Sequence, residues 1–180
     1  MPLICVMELI YRKLKSSEAK DFRRVRLDCL KRFPDKFGSS YEDELKMPRV
    51  LFEDFIENES ENHVFFGAFA DNNLIGIAGF VRGNRRKTRH RGEIVSMYVN
   101  PDFQGQKIGE KLLRALIEEI FNSDEIESLE LTVVADNISA AKLYERVGFE
   151  TFGIRKNYFK SGEQYWDQRF MLLMRENLNR

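Results

Sequence analysis

The amino-acid sequence predicts an α/β (α+β) fold in which a mixed, mostly antiparallel central sheet carries helices on both faces. Apolar runs typical of β-strands outnumber helical patterns before residue 93. After residue 93, strands and helices alternate in the order β-α-β-α-β, and the first of these helices has the most regular apolar spacing in the chain. A sheet with helices packed on its faces fits this order of elements.

Length and composition indicate one folded domain over residues 1–180. Hydrophobic residues make up 43% and charged residues 32% of the chain, proportions that are ordinary for a globular protein and unlike those of disordered chains. The 29 lysines and arginines equal the 29 aspartates and glutamates, so net charge gives no general reason to expect a nucleic acid or a membrane as partner. A charged partner would have to be recognised locally.

Cysteine content and hydropathy argue against several classes of protein. The two cysteines, Cys5 and Cys29, lie in neither a CxxC pair nor a Cys/His cluster, so the sequence indicates no disulfide framework and no metal site. The apolar run over residues 1–10 lacks a basic leader and a cleavage site, which argues against a signal peptide. No apolar run approaches the roughly 20 residues that span a bilayer. We therefore expect a cytoplasmic protein without a membrane partner.

The first part of the chain predicts one strand and two helical regions. Alternation of β-forming residues predicts a strand over residues 7–15. Ser16 or Ser17 is positioned to cap a helix that runs to about residue 33. A weaker helical pattern follows over residues 41–46 and 49–57.

Two apolar runs, at residues 63–70 and 74–81, predict a pair of antiparallel strands. The residues between them are Asp71, Asn72 and Asn73, which tolerate left-handed backbone and so favour a hairpin turn. A polar and strongly basic connection, residues 82–91, comes next.

The second half of the chain predicts alternating strands and helices. Residues 93–99 form a strand that is nearly all apolar between its ends, which predicts burial on both faces. Apolar residues at helical spacing mark the strongest helix, over about residues 105–122. The remaining predicted elements are a strand at 129–134, a short helix over 140–147 that stops at Gly148, and strands at 149–155 and 166–174.

The loop Gln104-Gly105-Gln106-Lys107-Ile108-Gly109-Glu110 is the most informative stretch, because it opens the strongest helix. The start of a helix leaves backbone N–H groups unpaired and carries partial positive charge, which suits a phosphate group. Glycines at 105 and 109 leave room for a ligand to approach the backbone. Their spacing matches neither GxxxxGK[ST] nor GxGxxG, which disfavours nucleoside triphosphate and dinucleotide folds.

Three segments in consecutive order resemble the acetyl-CoA-binding half of the GCN5-related N-acetyltransferases. They are EIVSMYVNP, QGQKIGEKLL and NISAAKLYERVGF, which together cover residues 93–149. The resemblance implies an N-acetyltransferase that moves the acetyl group of acetyl-CoA to a primary amine by direct attack, with no metal. It leaves the acceptor open among small molecules, amino acids and peptide or protein N-termini.

The same resemblance implies the residues that hold acetyl-CoA. The family loop Q/R-x-x-G-x-G/A falls on Gln104, Lys107 and Gly109, so lysine replaces the middle glycine; a helical φ there would need no glycine, and the ammonium group could pair with phosphate. The strand at 97–99 should separate from the strand at 129–134 and expose its backbone to the pantetheine arm and the oxyanion. The implied cofactor-binding residues are Met97, Tyr98, Val99, Gln104, Gly105, Gln106, Lys107, Ile108, Gly109, Glu110 and Asn137.

Two catalytic candidates follow from the resemblance. Tyr144 matches the tyrosine that many members place near the sulfur, where it would protonate the departing thiolate; the alternative is simple packing on its helix. Glu93 is the first candidate for the base that deprotonates the amine, and its alternative is an exposed residue at a strand end. His63 and His90 are the chain's two histidines, and His90 has only a minor claim.

Acceptor choice is expected to depend on residues 16–57 and 155–174, where the resemblance is weak. Tyr158, Gly162, Tyr165 and Asp167 are similar to residues of members that acetylate amino acids, peptides or ribosomal protein termini. The arginines of residues 82–91 could contact nucleic acid, but a solvated hairpin tip fits better because no aromatic residues are interleaved. A catalytically silent CoA-binding or nucleic-acid-binding module is the competing hypothesis, and a homodimer is left open.

Overall fold

The computed structural model of the chain describes residues 7–103 and 105–178. Cys5 and Gln104, both singled out in the sequence, therefore lie outside the described residues. Cys29 is a buried free thiol in the first helix.

A seven-stranded sheet in the order β1-β2-β3-β4-β5-β7-β6 forms the centre of the described part of the chain. Five of its six neighbouring pairs are antiparallel, and β4 runs parallel to β5. The predicted fold class is therefore confirmed. The strands are β1 (Leu9–Lys13), β2 (His63–Ala70), β3 (Asn73–Arg82), β4 (Arg91–Val99), β5 (Ser128–Val134), β6 (Glu150–Ser161) and β7 (Gln164–Met174).

Helices cover both faces of this sheet, as their apolar stripes require. On one face, the central helix buries Leu112, Leu113 and Leu116 completely against the strands. On the opposite face the first helix buries Phe22 and Val25. The α-helices are α1 (Ala19–Arg32), α2 (Tyr41–Lys46), α3 (Glu53–Glu57), α4 (Ile108–Phe121) and α5 (Ile138–Val147).

Two turns show how well local chemistry predicted the backbone. Asp71 and Asn72 have φ of 46° and 67°, so the predicted left-handed hairpin between β2 and β3 is present. The predicted serine cap of α1 is absent: residues 16–18 form a 3₁₀ turn, and no serine side chain caps it. Instead the Glu18 carboxylate accepts a hydrogen bond from the backbone N–H of Lys15 at 2.8 Å and also binds Arg12. An ion pair with β1 thus replaces the cap.

Strand β4 is covered on both faces but open at one edge. It pairs with β5 only from residue 91 to residue 93, so its edge beyond Glu93 has no neighbouring strand. A β-bulge at Ser96, whose φ is 56°, bends the strand at the same place. Ile94 is buried on the α4 side and Tyr98 on the α1 side, as the apolar pattern predicted, whereas Glu93 is exposed. The strand therefore borders an opening in the sheet.

A buried ion pair fastens α2 to α1 beside this opening. The Arg26 guanidinium donates to both carboxylate oxygens of Glu44, at 3.2 and 2.8 Å, and to the Ser39 hydroxyl at 3.1 Å. Arg26 and Glu44 are 5% and 2% exposed, so each charge depends on the other for compensation. Glu44 lies near the start of α2, whose N-terminal Ser40 hydroxyl accepts from the Asp43 backbone at 3.1 Å.

Candidate active site

A groove of about 540 Å³ runs from the end of α1 across β4 to the starts of α4 and α5. We call it the α4 groove. It contains most of the residues that the sequence assigned to acetyl-CoA. Its lining includes Met97, Val99, Gly105, Lys107, Gly109 and Tyr144.

The loop before α4 has the open backbone that a phosphate group requires. Gly105 has φ of 90° and is exposed, and a Cβ built there would meet nothing within 4 Å. The Lys107 side chain makes no capping hydrogen bond to the first turn of α4, whose first intrahelical bond runs from the Lys111 N–H to the Lys107 carbonyl at 3.0 Å. The N–H groups of residues 108–110 precede that bond, so they are free to bind an anion.

The backbone conformation of Lys107 differs from the one that the sequence predicted. Its φ of 56° and ψ of 27° are left-handed, whereas a helical φ was expected. A left-handed conformation disfavours a residue with a Cβ, which explains why glycine is the family's residue here. Lys107 thus accepts local backbone strain while it places an exposed ammonium group beside the groove.

The predicted cofactor residues do not all face the groove. Gln106 and Glu110 are absent from its lining. The Glu110 carboxylate instead accepts hydrogen bonds from Arg146 at 3.1 Å and Arg114 at 3.0 Å, and these bonds lower its pKa. Only the backbone of Glu110 is therefore suitably placed to contact a ligand. Asn137 lines the groove and also caps α5, its Oδ1 accepting from the Ala140 N–H at 3.3 Å.

The C-terminal half of β4 is anchored from behind. Met97 and Val99 face the α4 side, while Tyr98 is buried on the α1 side. The Tyr98 hydroxyl donates to Asp28 Oδ2 at 2.6 Å. Burial tends to raise the pKa of Asp28, but hydrogen bonds from Tyr98 and Arg32 outweigh it and lower that pKa below its usual value. The carboxylate therefore stays ionised and holds the strand against α1.

A second cavity, of about 280 Å³, fills the opening between β4 and β5. We call it the β4–β5 cavity. It shares Met97, Asn137 and Tyr144 with the α4 groove, so the two spaces meet. Its lining also includes Arg26, Phe52, Glu93, Ser96, Tyr158 and Gln168.

Tyr144 sits where the two spaces join. It projects from α5, is 7% exposed, and packs edge-on against Phe149 with ring centroids 6.1 Å apart. Its hydroxyl has no hydrogen-bonding partner among residues 7–103 and 105–178. Burial raises the pKa of Tyr144, so the hydroxyl keeps its proton at neutral pH and can donate it. The packing role and the acid role are therefore compatible.

Glu93 lies at the other end of the β4–β5 cavity. It pairs in register with Glu130 on the parallel strand. Desolvation, followed by repulsion from Glu130, raises the pKa of Glu93, although the residue as a whole remains exposed. Glu130 itself is held by an ion pair with Arg91. A carboxylate with a raised pKa beside a cavity has the properties of a general base.

The loop after α1 contributes lining residues that the sequence did not single out. Lys36 and Phe37 follow α1 and border both the α4 groove and the β4–β5 cavity. Lys36 forms an ion pair with Asp136 at 2.8 Å, which ties this loop to the segment before α5. Both residues fall within the range 16–57 expected to select the acceptor. Their exact positions had no signal in the sequence, because a lysine and a phenylalanine in a loop are common.

The basic connection between β3 and β4 is partly neutralised by the protein itself. Arg82 bonds to Glu125 at 2.7 Å and to the Arg89 carbonyl at 2.7 Å. His90 is exposed and lines neither the α4 groove nor the β4–β5 cavity. In the part of the chain that the structure describes, no three His, Cys, Asp or Glu side chains are grouped to hold a metal. Over the same residues, no helix combines the length and apolar character needed to cross a membrane.

A sequence profile of the Acetyltransferase (GNAT) family matches residues 22–149 of this chain. The chain belongs to that family. The membership of this family that the sequence predicted is thereby confirmed. The matched range includes β4, the loop before α4, and Tyr144.

The chain is also similar in sequence to two named N-acetyltransferases. The chain is similar to the N-alpha-acetyltransferase RimI of Mycobacterium tuberculosis, with 35% identity over 104 residues, 58% of this chain and 63% of that protein. It is also similar to the [ribosomal protein bS18]-alanine N-acetyltransferase of Salmonella typhimurium, with 29% identity over 119 residues, 66% of this chain and 76% of the relative. The match therefore spans less than two thirds of the mycobacterial relative's own length.

Solved structures agree with the fold. An acetyltransferase of the GNAT family from Streptococcus pneumoniae superimposes with a TM-score of 0.82 at 22% identity, over 93% of this chain and 99% of that one. A protein from Salmonella typhimurium solved with acetyl-CoA as its cofactor gives a TM-score of 0.76 at 17% identity, over 93% and 94% of the two chains.

The raised pKa of Glu93 predicts a pH-dependent stability difference. In the folded protein the ionised form is disfavoured, so Glu93 contributes most to stability below its unfolded pKa and loses that contribution as pH rises through its folded pKa. Glu93→Gln, which carries no charge, should therefore gain stability relative to wild type on going from about pH 4 to about pH 7. Thermal melts at both pH values measure the difference. Glu119→Gln, on the exposed side of α4, is the control, and an equal response of the two variants would contradict the assignment.

Proposed function

We propose that this protein transfers the acetyl group of acetyl-CoA to the α-amino group at the N-terminus of a peptide or protein. The observation that carries the proposal is the meeting of two spaces at Tyr144. One has the open backbone of a phosphate site, and the other has a carboxylate with a raised pKa. A group-transfer reaction needs donor and acceptor to enter separately and meet at one point.

The α4 groove would hold coenzyme A. Its pyrophosphate fits the unpaired N–H groups at the start of α4, with the Lys107 ammonium group adding a charge-assisted contact. A groove of about 540 Å³ gives the elongated ligand space along β4. The exposed edge of β4 beyond Glu93 offers backbone groups to the amides of the pantetheine arm, as a neighbouring strand would.

The acceptor amine would enter through the β4–β5 cavity. Glu93 takes a proton from the ammonium group, directly or through water, and the neutral nitrogen attacks the thioester carbonyl carbon. A backbone N–H near the bulge in β4 stabilises the oxyanion that forms. The carbon–sulfur bond then breaks, and the Tyr144 hydroxyl donates towards the departing thiolate. The acylated nitrogen loses its second proton to solvent, the phenol regains its own from solvent, and Glu93 releases the proton it took as the products leave.

The choice of a peptide N-terminus rests on two observations. One relative is named an N-alpha-acetyltransferase, and another is named for the alanine of ribosomal protein bS18. The β4–β5 cavity is lined partly by aromatic side chains, Phe52 and Tyr158 among them, alongside polar groups. An acceptor with both a peptide backbone and side chains matches this lining better than a small, highly charged amine does.

Removal of the Tyr144 hydroxyl tests the reaction directly. Tyr144→Phe keeps the ring and should lower kcat by about 10²-fold, the lower end for a positioned acid, because a thiolate is already a fair leaving group. Thiol release from acetyl-CoA with an alanine-initiated peptide measures kcat, and calorimetry should show unchanged acetyl-CoA affinity.

Tyr11→Phe is the matched control, since Tyr11 has a buried hydroxyl without a partner but lies in β1, away from the site. Full turnover by Tyr144→Phe would return Tyr144 to a packing role. No turnover of any peptide by the wild-type protein would refute the proposed function.

Substitutions of Lys107 separate its charge from its backbone strain. Lys107→Ala and Lys107→Gly both remove the ammonium group and should weaken coenzyme A binding by about fivefold, equivalent to about 1 kcal/mol at an exposed site. Only the glycine variant also relieves the left-handed strain, so it alone should melt at a higher temperature. Calorimetry at low and high salt is the measurement, with Lys111→Ala as control. Unchanged affinity in both variants would remove Lys107 from the phosphate site.

A further inference from the structure

Two buried polar side chains in the wall of the β4–β5 cavity lack hydrogen-bonding partners within the described residues. They are Gln168, which is 5% exposed, and Ser96, which is 9% exposed. Oε1 of Gln168 and Oγ of Ser96 are both unpaired. A buried polar atom without a partner costs about 1–3 kcal/mol, so such atoms beside a cavity point to a ligand that completes them.

The backbone of Gln168 lies within the sheet, whereas its side chain points out of the plane of the sheet. Gln168 lies on β7 between β5 and β6, in register with Val134 on one side and Arg155 on the other. Met171 and Leu173 of the same strand face the core beneath α4 and α5. Because side chains alternate along a strand, Gln168 projects from the opposite face, into the wall of the β4–β5 cavity.

A carboxamide has the hydrogen-bonding groups that match one residue of an extended peptide. Nε2 donates and Oε1 accepts, whereas the residue presents its N–H and its carbonyl oxygen on the same side of the chain. A polyamine or an alkylamine presents no carbonyl group, so it would leave the Gln168 amide half unsatisfied.

We propose that Gln168 is the specificity-determining residue that binds the backbone of the acceptor's second residue. Its Oε1 accepts the N–H of that residue, and its Nε2 donates to the carbonyl oxygen of the same residue, because these two groups point to one side of an extended chain. This inference rests on the proposed function and adds the feature of the acceptor that the site reads. The amine that reacts is thereby held at a fixed distance from a hydrogen-bonded anchor.

An aromatic surface continues outward from Gln168 and gives the rest of the acceptor a place to lie. Phe170 projects from the same face of β7, and its ring contacts Tyr158 with centroids 5.8 Å apart. Phe152 packs on Phe170 at 6.1 Å and is itself 59% exposed. Tyr158 also lines the β4–β5 cavity, so the surface is continuous with it. A side chain at the acceptor's second position would cover these rings.

The test compares two acceptors of the same shape. One is alanyl-phenylalanyl-glycine amide, and the other carries a trans-alkene in place of its first peptide bond. Wild type should favour the peptide by about 10-fold in kcat/KM, the value of the one neutral hydrogen bond that the alkene cannot make to Oε1. Gln168→Leu should reduce this ratio to near one. Gln164→Leu, an exposed glutamine at the start of β7, should keep the full ratio.

Each outcome decides between the two proposals. A wild-type ratio near one would overturn the role of Gln168 without any variant, and so would an unchanged ratio in Gln168→Leu. In both cases turnover of the peptide would leave the proposed function standing. Failure of wild type to acetylate the peptide would overturn both. Leucine replaces an unpaired buried amide, so we expect no loss of stability, and a thermal melt checks that expectation.

Discussion

The separation of β4 from β5 is the constraint on which the rest of the site depends. The two strands pair in parallel only from residue 91 to residue 93 of β4, and beyond that point β4 has one open edge. The bulge at Ser96 turns the strand at the same place, since a bulge increases local twist. A continuous sheet would have filled this position with a ladder of hydrogen bonds. Its interruption supplies both the cavity and the free backbone beside it.

An opening in a sheet is stable only if its borders are held from outside. The Tyr98 hydroxyl bonded to Asp28 fixes β4 to α1, and the Arg26–Glu44 pair fixes α1 to α2. The Lys36–Asp136 ion pair ties the loop after α1 to the segment before α5. These contacts lie around the opening rather than across it. Two of the buried groups that lack partners among the described residues, Ser96 and Gln168, border the cavity, as expected at a ligand-binding site.

The sequence predicted what depends on local chemistry. Helix α4 followed from its apolar spacing, the hairpin after β2 from Asp71 and Asn72, and the end of α5 from Gly148, whose φ is 111°. Burial of β4 on both faces followed from its apolar pattern, but the bulge at Ser96 did not, because an apolar pattern does not reveal where a strand bends. The left-handed backbone of Lys107 and the partnerless Gln168 depend on contacts between distant segments, so no local pattern could show them.

A crystal structure with a bisubstrate adduct tests the central claim most directly. In the adduct, the sulfur of coenzyme A is joined through an acetyl linker to the amine of an alanine-initiated peptide. We predict that the linker lies in the opening between β4 and β5, with its sulfur beside the Tyr144 hydroxyl and its peptide towards Gln168. An adduct bound with its linker outside that opening would contradict the account.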